Sequence, residues 1–240
     1  MTIHDVTLAA REEVAEGTMA FHFAKPAGFV FKPGQAIDLI LPGLPDANGQ
    51  PSRHAFSIVS APFERDLVVA TRMRDSAFKR ALGAMPIGAP VQVDGPFGSL
   101  TLHNDRARAA VFIAGGIGIT PFMSMLRHAA ADPIPRSLTL LYSNRRPEDA
   151  AFLAELQQLE KRNRNFRLVA TMTAMARSGR PWEGEVRLID ADLVRKVSAG
   201  LTTPVYYLVG PPALVEGLRK ALGEAQIDDD DVRSEEFYGY

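Results

Sequence analysis

Hydrophobic residues in the first hundred positions come in short stretches that glycine and proline separate. Five stretches have strand length and are rich in β-branched or aromatic residues, at positions 18–23, 36–41, 54–59, 66–73 and 89–93. One helical stretch, at 76–85, interrupts them, with Asp75 placed as its N-cap. Strands that follow one another this closely predict a β-barrel or a β-sandwich.

From about residue 109 the pattern changes to strands that alternate with helices. The first strand, 111–114, leads through a glycine turn into a helix at 121–130, with Thr120 as N-cap and Pro121 in the first position. Strands at 137–142, 167–173 and 205–209 each precede a helix, at 148–162, 190–197 and 213–225. This alternation predicts an α/β domain whose parallel sheet is covered on both faces. The polar stretch 103–108 is the predicted boundary between domains 1–105 and 106–240.

The composition excludes several classes of chemistry. With 27 Lys and Arg against 28 Asp and Glu, the net charge of −1 gives no positive field for nucleic acid. The absence of cysteine excludes thiol catalysis, disulfides and cysteine-bound metal clusters, and the histidine spacings match no metal site. No apolar run reaches the ~18 residues of a membrane helix. The N-terminus does not resemble a secretory signal, so we expect a cytoplasmic protein with no membrane partner.

A glycine turn joins the first strand of the α/β half to its helix. In a doubly wound sheet, such turns and helix N-termini form the crevice in which dinucleotides bind, because glycine lets the backbone approach a phosphate. Tight packing alone would also select glycine here. The residues of the turn and of the helix start are Gly115, Gly116, Ile117, Gly118, Ile119, Thr120 and Pro121.

Three further segments carry recognisable motifs, one before this turn in the chain and two after it. They are Arg53-His54-Ala55-Phe56-Ser57 in the first half, Val209-Gly210-Pro211-Pro212 after the last α/β strand, and Glu236-Phe237 at the C-terminus. Together with the glycine turn, they make the chain resemble the ferredoxin–NADP reductase superfamily over nearly its whole length. The resemblance implies an N-terminal antiparallel β-barrel that binds FAD, followed by a doubly wound α/β domain that binds NADP or NAD.

The segment 53–57 matches a barrel strand that carries Arg-x-Tyr-Ser in that family. The resemblance implies that Phe56 packs beside the flavin and that Ser57 hydrogen-bonds near its reactive nitrogen. His54 stands in register for the arginine, whereas Arg53 comes one residue early and faces the other side of the strand. His54 is therefore the preferred FAD contact, next to Ala55, and Arg53 stays open as the alternative.

The turn into the barrel helix is implied to bind the FAD diphosphate. The family places backbone amides of this turn on the diphosphate, where a helix N-terminus favours negative charge. Two cationic side chains of the turn would add charge-assisted contacts. The residues are Met73, Arg74, Ser76, Ala77, Phe78 and Lys79.

The second domain is implied to bind the nicotinamide coenzyme at its glycine turn and at two further places. A 2′-phosphate would suit Arg145 or Arg146, but the family's Ser-Arg pair on the next strand is Thr171-Met172 here, so the choice between NADPH and NADH stays open. The candidate contacts are Ser143, Asn144 and Arg145 after the second strand and Gly210, Pro211 and Pro212 after the last.

The C-terminus is implied to cover the flavin ring. Phe237 is the preferred cover, Tyr240 is the second choice, and Glu236 is the candidate proton source. The Ser57 hydroxyl is implied to polarise the flavin. The candidate catalytic residues are therefore Ser57, Glu236 and Phe237. Val209 replaces a cysteine that the family places near the nicotinamide.

The resemblance implies an FAD-dependent oxidoreductase that passes hydride between NAD(P)H and flavin. Single electrons would then pass to a separate acceptor protein such as a ferredoxin, a flavodoxin or an oxygenase component. Two alternatives stay open: a nucleotide-binding regulatory subunit with little activity, and a free-flavin or ferric-chelate reductase. The sequence fixes neither the direction of electron flow nor the oligomeric state, although a monomer is favoured.

Overall fold

Six antiparallel strands form the first half of the chain in this computed structural model, which describes residues 2–132 and 135–238. They are β1 (Thr2–Ala15), β2 (Thr18–Ala24), β3 (Ala36–Pro45), β4 (Pro51–Ser57), β5 (Asp66–Arg72) and β6 (Pro90–Phe97), with helix α1 (Ala77–Ala84) between β5 and β6. Their order is β4-β3-β6-β1-β2-β5. An antiparallel bridge between Ile58 and Val69 joins the two ends, so the sheet closes as the predicted antiparallel barrel.

Strand β1 escapes prediction from the sequence. Along its 14 residues only Val6 and Leu8 are buried, so the hydrophobic alternation that marks a strand is too short to detect. Residues 2–7 of β1 pair with β6, and residues 8–15 pair with β2. One long strand therefore belongs to two successive parts of the barrel.

Helix α1 begins at a different cap from the predicted one. Ser76, rather than Asp75, is the N-cap, because its extended backbone lets Oγ accept a hydrogen bond from the Lys79 N–H at 3.2 Å. Asp75 instead pairs with Arg80 on the surface. Phe78 and Leu82 then bury their side chains in the barrel core.

Five parallel strands form the sheet of the second half, as the α/β pattern predicts. They are β7 (Ala110–Gly115), β8 (Leu138–Asn144), β9 (Phe166–Met172), β10 (Val205–Gly210) and β11 (Val232–Glu236), in the order β11-β10-β7-β8-β9. The helices are α2 (Thr120–Ala131), α3 (Leu153–Arg162), α4 (Ala191–Ser198) and α5 (Pro212–Glu224). Helices α4 and α5 share a core with Val111, Leu141 and Leu208 of the sheet. Within the described ranges, none of the helices combines the length and the hydropathy that crossing a membrane requires.

Three details of this half differ from the prediction. A 3₁₀ turn, Gly116–Ile119, runs directly into α2, so Thr120 is already helical and is not an N-cap. Helix α3 begins at Leu153 rather than near 148, because Phe152 has a left-handed backbone with φ of 60°. Strand β11 escapes prediction because three of its five residues are charged.

The chain divides into two compact units. The first comprises Met1–Thr101 with Thr120–His128, and the second comprises Leu102–Ile119 with Ala129–Tyr240. Most of α2 therefore groups with the barrel, although the sequence assigns this helix to the second domain. Within the first unit, Ser124 Oγ of α2 donates a hydrogen bond to Ser60 O at 2.7 Å.

Candidate functional site

Arg53 lies on the face of β4 opposite the barrel core, between two carboxylates. Its Nη2 donates to Asp38 Oδ2 at 2.5 Å and to Asp94 Oδ2 at 2.9 Å. Asp38 belongs to β3 and Asp94 to β6, so one guanidinium joins three neighbouring strands. The hydrogen bond to Asp38, followed by that to Asp94, raises the pKa of Arg53. Arg53 is thus engaged within the barrel.

His54 lies beside the start of α1, among aromatic and cationic side chains. Its ring centroid is 4.3 Å from that of Phe78, and the centroid of Phe56 is 6.0 Å from Phe78. Burial, followed by the charge of Lys79, lowers the pKa of His54. Burial, followed by the charge of Arg74, lowers the pKa of Lys79. We call His54, Arg74 and Lys79 the basic cluster; its members repel one another at a helix N-terminus, a setting that favours an anion.

Ser57 ends β4 with a hydroxyl that is available to a ligand. The residue is only 6% exposed, and its Oγ has no hydrogen-bond partner among the residues the structure describes. This oxygen is not among the fully enclosed polar atoms without a partner, so an approaching group can reach it. Of the remaining barrel candidates, Ala55 and Ala77 are exposed, whereas Met73 packs against the core.

The glycine turn is shaped by its neighbours in the second unit. A methyl group on Gly118 would overlap Val209 O and would lie 3.0 Å from Gly210 N, so only glycine fits against the end of β10. Gly116 has φ of 54° and open space beside it. Tyr142 Oη donates to Gly116 O at 3.1 Å and thereby fixes the turn. The structure presents the Gly116 backbone to an approaching group, whereas the side chains of Ile117, Ile119, Thr120 and Pro121 are buried.

Leu214, which the sequence analysis did not select, lies over two other glycines of this sheet edge. A methyl group on Gly115 would overlap Leu214 Cδ2, and one on Gly210 would lie 2.8 Å from the same atom. Leu214 stands in the first turn of α5, after Pro211 and Pro212. Leu214 comes two residues after Pro212, and the local sequence gives no signal of this packing, because the contact is made with the ends of two strands.

Asn144 ends β8 with a buried carboxamide that makes no hydrogen bond. The residue is 6% exposed, and neither Nδ2 nor Oδ1 has a partner within the described part of the chain. Ser143 pairs with Gly115 in the sheet, so Asn144 follows at the position beside Gly116. Leaving a buried amide unpaired costs about 1–3 kcal/mol for each polar group. The carboxamide is therefore a candidate for binding a ligand at the edge that carries the glycine turn.

The two arginines after β8 differ in their contacts. Arg146 forms a two-point ion pair with Asp149, with Nε–Oδ2 at 3.0 Å and Nη2–Oδ1 at 2.8 Å. Arg145 is exposed, and among the described residues no acidic side chain pairs with it. Thr171 and Met172 on β9 are buried, so their side chains do not reach this surface. Of the two arginines, Arg145 is the one that a ligand can recruit.

Strand β11 brings the C-terminal residues to the same sheet edge. The Phe237 N–H donates to Gly210 O at 2.9 Å, which places Phe237 beside the Gly-Pro-Pro turn. Glu236 is exposed and accepts a hydrogen bond from Tyr238 Oη at 2.5 Å. Its neighbour Glu235 is half-buried, and burial raises the pKa of its carboxyl. Tyr240, the second choice for the ring cover, lies outside the described residues.

Comparisons with known proteins find similarity to NAD-binding oxidoreductase domains and to reductases. Residues 112–220 match the family described as the oxidoreductase NAD-binding domain. The reductase component of propane 2-monooxygenase from Mycolicibacterium smegmatis is 29% identical over 219 residues, which cover 89% of this chain and 61% of that protein. Ferredoxin–NADP reductase B from Sorangium cellulosum is 29% identical over 227 residues, or 91% of this chain and 90% of that protein.

The chain spans 53–68% of the length of the four propane 2-monooxygenase reductase components that it matches. Among solved structures, a ferredoxin–NADP⁺ reductase from Neisseria gonorrhoeae with bound FAD and NADP is similar with a TM-score of 0.79. This similarity covers 98% of both chains at 20% sequence identity, a level at which the shared property is the fold.

Proposed function

We propose that the chain is a member of the ferredoxin–NADP reductase superfamily and acts as an NAD(P)H-dependent flavin oxidoreductase that passes electrons to a separate acceptor protein. The observation that carries the proposal is the unpaired, buried carboxamide of Asn144 beside the open backbone of Gly116. A soluble metabolite or a nucleotide coenzyme could each satisfy an amide. The adjacent unpaired Arg145 and the doubly wound topology favour the coenzyme.

The residues around α1 fit FAD. The basic cluster suits the diphosphate, because the helix N-terminus and Lys79 both favour negative charge. Phe56 and Phe78 offer aromatic surface, and Ser57 offers an unpaired hydroxyl. We assign the FAD contact to His54 rather than to Arg53, because Asp38 and Asp94 already bind the Arg53 guanidinium.

The protein's contribution to the reaction is orientation and hydrogen bonding. When bound, FAD would accept the hydride of NAD(P)H as two electrons and release them singly. Ser57 would donate a hydrogen bond from its hydroxyl toward the flavin's reactive nitrogen, and Phe237 would cover the ring. Glu236 is the proposed proton source; the half-buried Glu235, whose pKa is raised by burial, is a second carboxyl that retains a proton to higher pH.

The proposed acceptor is a ferredoxin, a flavodoxin or an oxygenase component. These 240 residues contain no cysteine, so they cannot ligate an iron–sulfur cluster through thiolates. The similar propane 2-monooxygenase chains are by name reductase components, which agrees with a separate acceptor.

The proposed function is tested by the visible spectrum of the purified protein, supplemented with FAD and freed of unbound flavin. We expect a bound-flavin band that bleaches on anaerobic addition of NADPH or NADH. A bound flavin that neither coenzyme reduces would favour the regulatory subunit. Failure to retain any flavin would refute the FAD site.

Replacement of Asn144 by leucine is expected to weaken coenzyme binding without loss of stability. We expect the Kd of NADP⁺ or NAD⁺, measured by calorimetry, to rise about tenfold, because the coenzyme loses its hydrogen bond to the carboxamide. The free energy of unfolding should stay the same or rise, because leucine has a similar size and buries no unpaired amide.

Asn163→Leu is the matched control for this variant. The Asn163 Oδ1 accepts a hydrogen bond from Asn165 N–H at 3.0 Å, so its loss should lower stability and leave coenzyme binding unchanged. A destabilised Asn144→Leu protein with normal coenzyme affinity would show that Asn144 has a structural role instead.

Replacement of Arg145 by glutamine is expected to affect only the coenzyme that carries a 2′-phosphate. The Kd of NADP⁺ should rise about tenfold, because a guanidinium–phosphate hydrogen bond is lost, and the Kd of NAD⁺ should not change. Arg146→Gln serves as the control, since Asp149 already holds that side chain. Equal losses for NADP⁺ and NAD⁺ would contradict a 2′-phosphate contact at Arg145.

A further inference from the structure

The direction of the chain connections reverses between β7 and β10, which lie side by side in the parallel sheet. At such a point the helices leave toward opposite sides, and a crevice opens at the carboxyl ends of the two strands. Gly115 ends β7 and Gly210 ends β10. A methyl group on Gly210 would lie 3.6 Å from Gly115 N, so the two glycines face each other across the crevice.

Leu214 fills this crevice. Its Cδ2 occupies the space that a side chain on Gly115 would need and lies 2.8 Å from the position of a methyl group on Gly210. The leucine thus covers the backbone of two of the residues that the proposed function assigns to the coenzyme. A coenzyme and this rotamer of Leu214 exclude each other at that surface.

We propose that Leu214 is a displaceable plug, which must rotate away before the coenzyme can contact Gly115 and Gly210. The proposal rests on the proposed function, because it concerns the same coenzyme site. It makes Leu214 a residue that sets coenzyme affinity without making a favourable contact of its own in the bound state.

The surroundings of Leu214 allow the rotation. The side chain is only partly buried, at the edge of the core that α4 and α5 share with the sheet. Its Cδ2 end lies over Gly115 and Gly210, which have no side chains that could interlock with it. Staggered rotamers of a partly exposed leucine exchange quickly. If the coenzyme binds only when Leu214 has rotated away from the glycines, the apparent affinity equals the intrinsic affinity multiplied by the fraction of time that Leu214 spends in that open rotamer.

The test compares the FAD-loaded wild type with Leu214→Ala and Leu214→Val by calorimetric titration with NADP⁺ and NAD⁺. Alanine removes the plug, and valine lacks the terminal carbon that reaches Gly115. We expect both variants to bind the coenzyme more tightly, by about tenfold if the plug is closed about nine-tenths of the time. Leu201→Ala, which shortens another partly buried leucine of the same core, should leave the affinity unchanged.

A double variant separates the two reasons for glycine at position 115. Gly115→Ala alone should lower the unfolding temperature, because the new methyl group overlaps Leu214; Leu214→Ala in the same chain should restore it. A double variant as unstable as Gly115→Ala alone would show that Leu214 does not occupy this space and would overturn the plug.

The outcomes also separate this inference from the proposed function. If the wild type binds neither NADP⁺ nor NAD⁺, the proposed function fails. If the wild type binds and the two Leu214 variants bind equally well, Leu214 does not obstruct the site. If they bind more weakly, Leu214 supports the coenzyme instead of excluding it, and the plug is again refuted.

Discussion

Lys79→Glu is expected to strip FAD from the protein while leaving the barrel folded. The change removes a charge-assisted contact to the diphosphate, worth about 1.5–3 kcal/mol, and adds a repulsive carboxylate, so the Kd for FAD should rise at least about a hundredfold. The fold should tolerate the change, because a glutamate three residues after the N-cap Ser76 completes a capping box and suits the helix dipole. Fluorescence titration of the flavin-free protein measures the Kd.

Arg80→Glu provides the matched control for Lys79→Glu. It makes the same charge change one residue later, on a side chain that pairs with Asp75 and is 64% exposed. Its effect on the Kd for FAD should stay within about threefold, as screening predicts for an exposed charge. Lys79→Glu protein that keeps its flavin through gel filtration would contradict the assignment of the diphosphate to the basic cluster.

Ser57→Ala is expected to slow flavin reduction by NADPH or NADH by about tenfold to a hundredfold in anaerobic stopped-flow experiments. A hydrogen bond at the reacting nitrogen that strengthens as the hydride arrives contributes about 1.5–3 kcal/mol to the transition state. FAD should remain bound, because the basic cluster is intact and the loss of one hydroxyl removes little contact area.

Ser52→Ala, on the same strand but outside the candidate site, is the control for Ser57→Ala. It should reduce its flavin at the wild-type rate. A Ser57→Ala protein that matches it in rate would show that the Ser57 hydroxyl does not act on the flavin.

The sequence predicts the fold wherever hydrophobic residues repeat with a regular period. Strands β7, β8 and β10 are buried along nearly their whole length, so they are detected, and β9 is detected from its apolar residues although Arg167 is exposed. Strands β1 and β11 are not, because only two residues of β1 and none of β11 are buried, so these strands are held by backbone pairing rather than by a hydrophobic face. The cap of α1 is misplaced by one residue because aspartate and serine are equally good N-caps, and only the backbone direction decides between them.

The candidate site is predictable in its residue types but not in its contacts. The glycine turn and the segment 53–57 are visible in the sequence because each has a motif. The ion pair between Arg53 and Asp38 joins two strands, so no local pattern reveals it. The pair between Arg146 and Asp149 is only three residues apart, but it depends on the 3₁₀ turn Pro147–Asp149, which the sequence does not predict. The role inferred for Leu214 likewise depends on the meeting of two strand ends with the first turn of α5. A contact among three segments that are far apart in the sequence is not visible in any local pattern.

The two-part pairing of β1 has a consequence for the order in which the chain folds. Residues 2–7 cannot join their partner strand until residues 90–95 exist, so the barrel cannot close before residue 95 has left the ribosome. At about 5–20 residues per second, the N-terminal strand waits roughly 5–20 s for its partner. Contacts this distant in sequence make closure slow, whereas β1 and β2 can pair as a hairpin at once. Deleting the first seven residues should therefore spare the hairpin during synthesis and impair the final closing step.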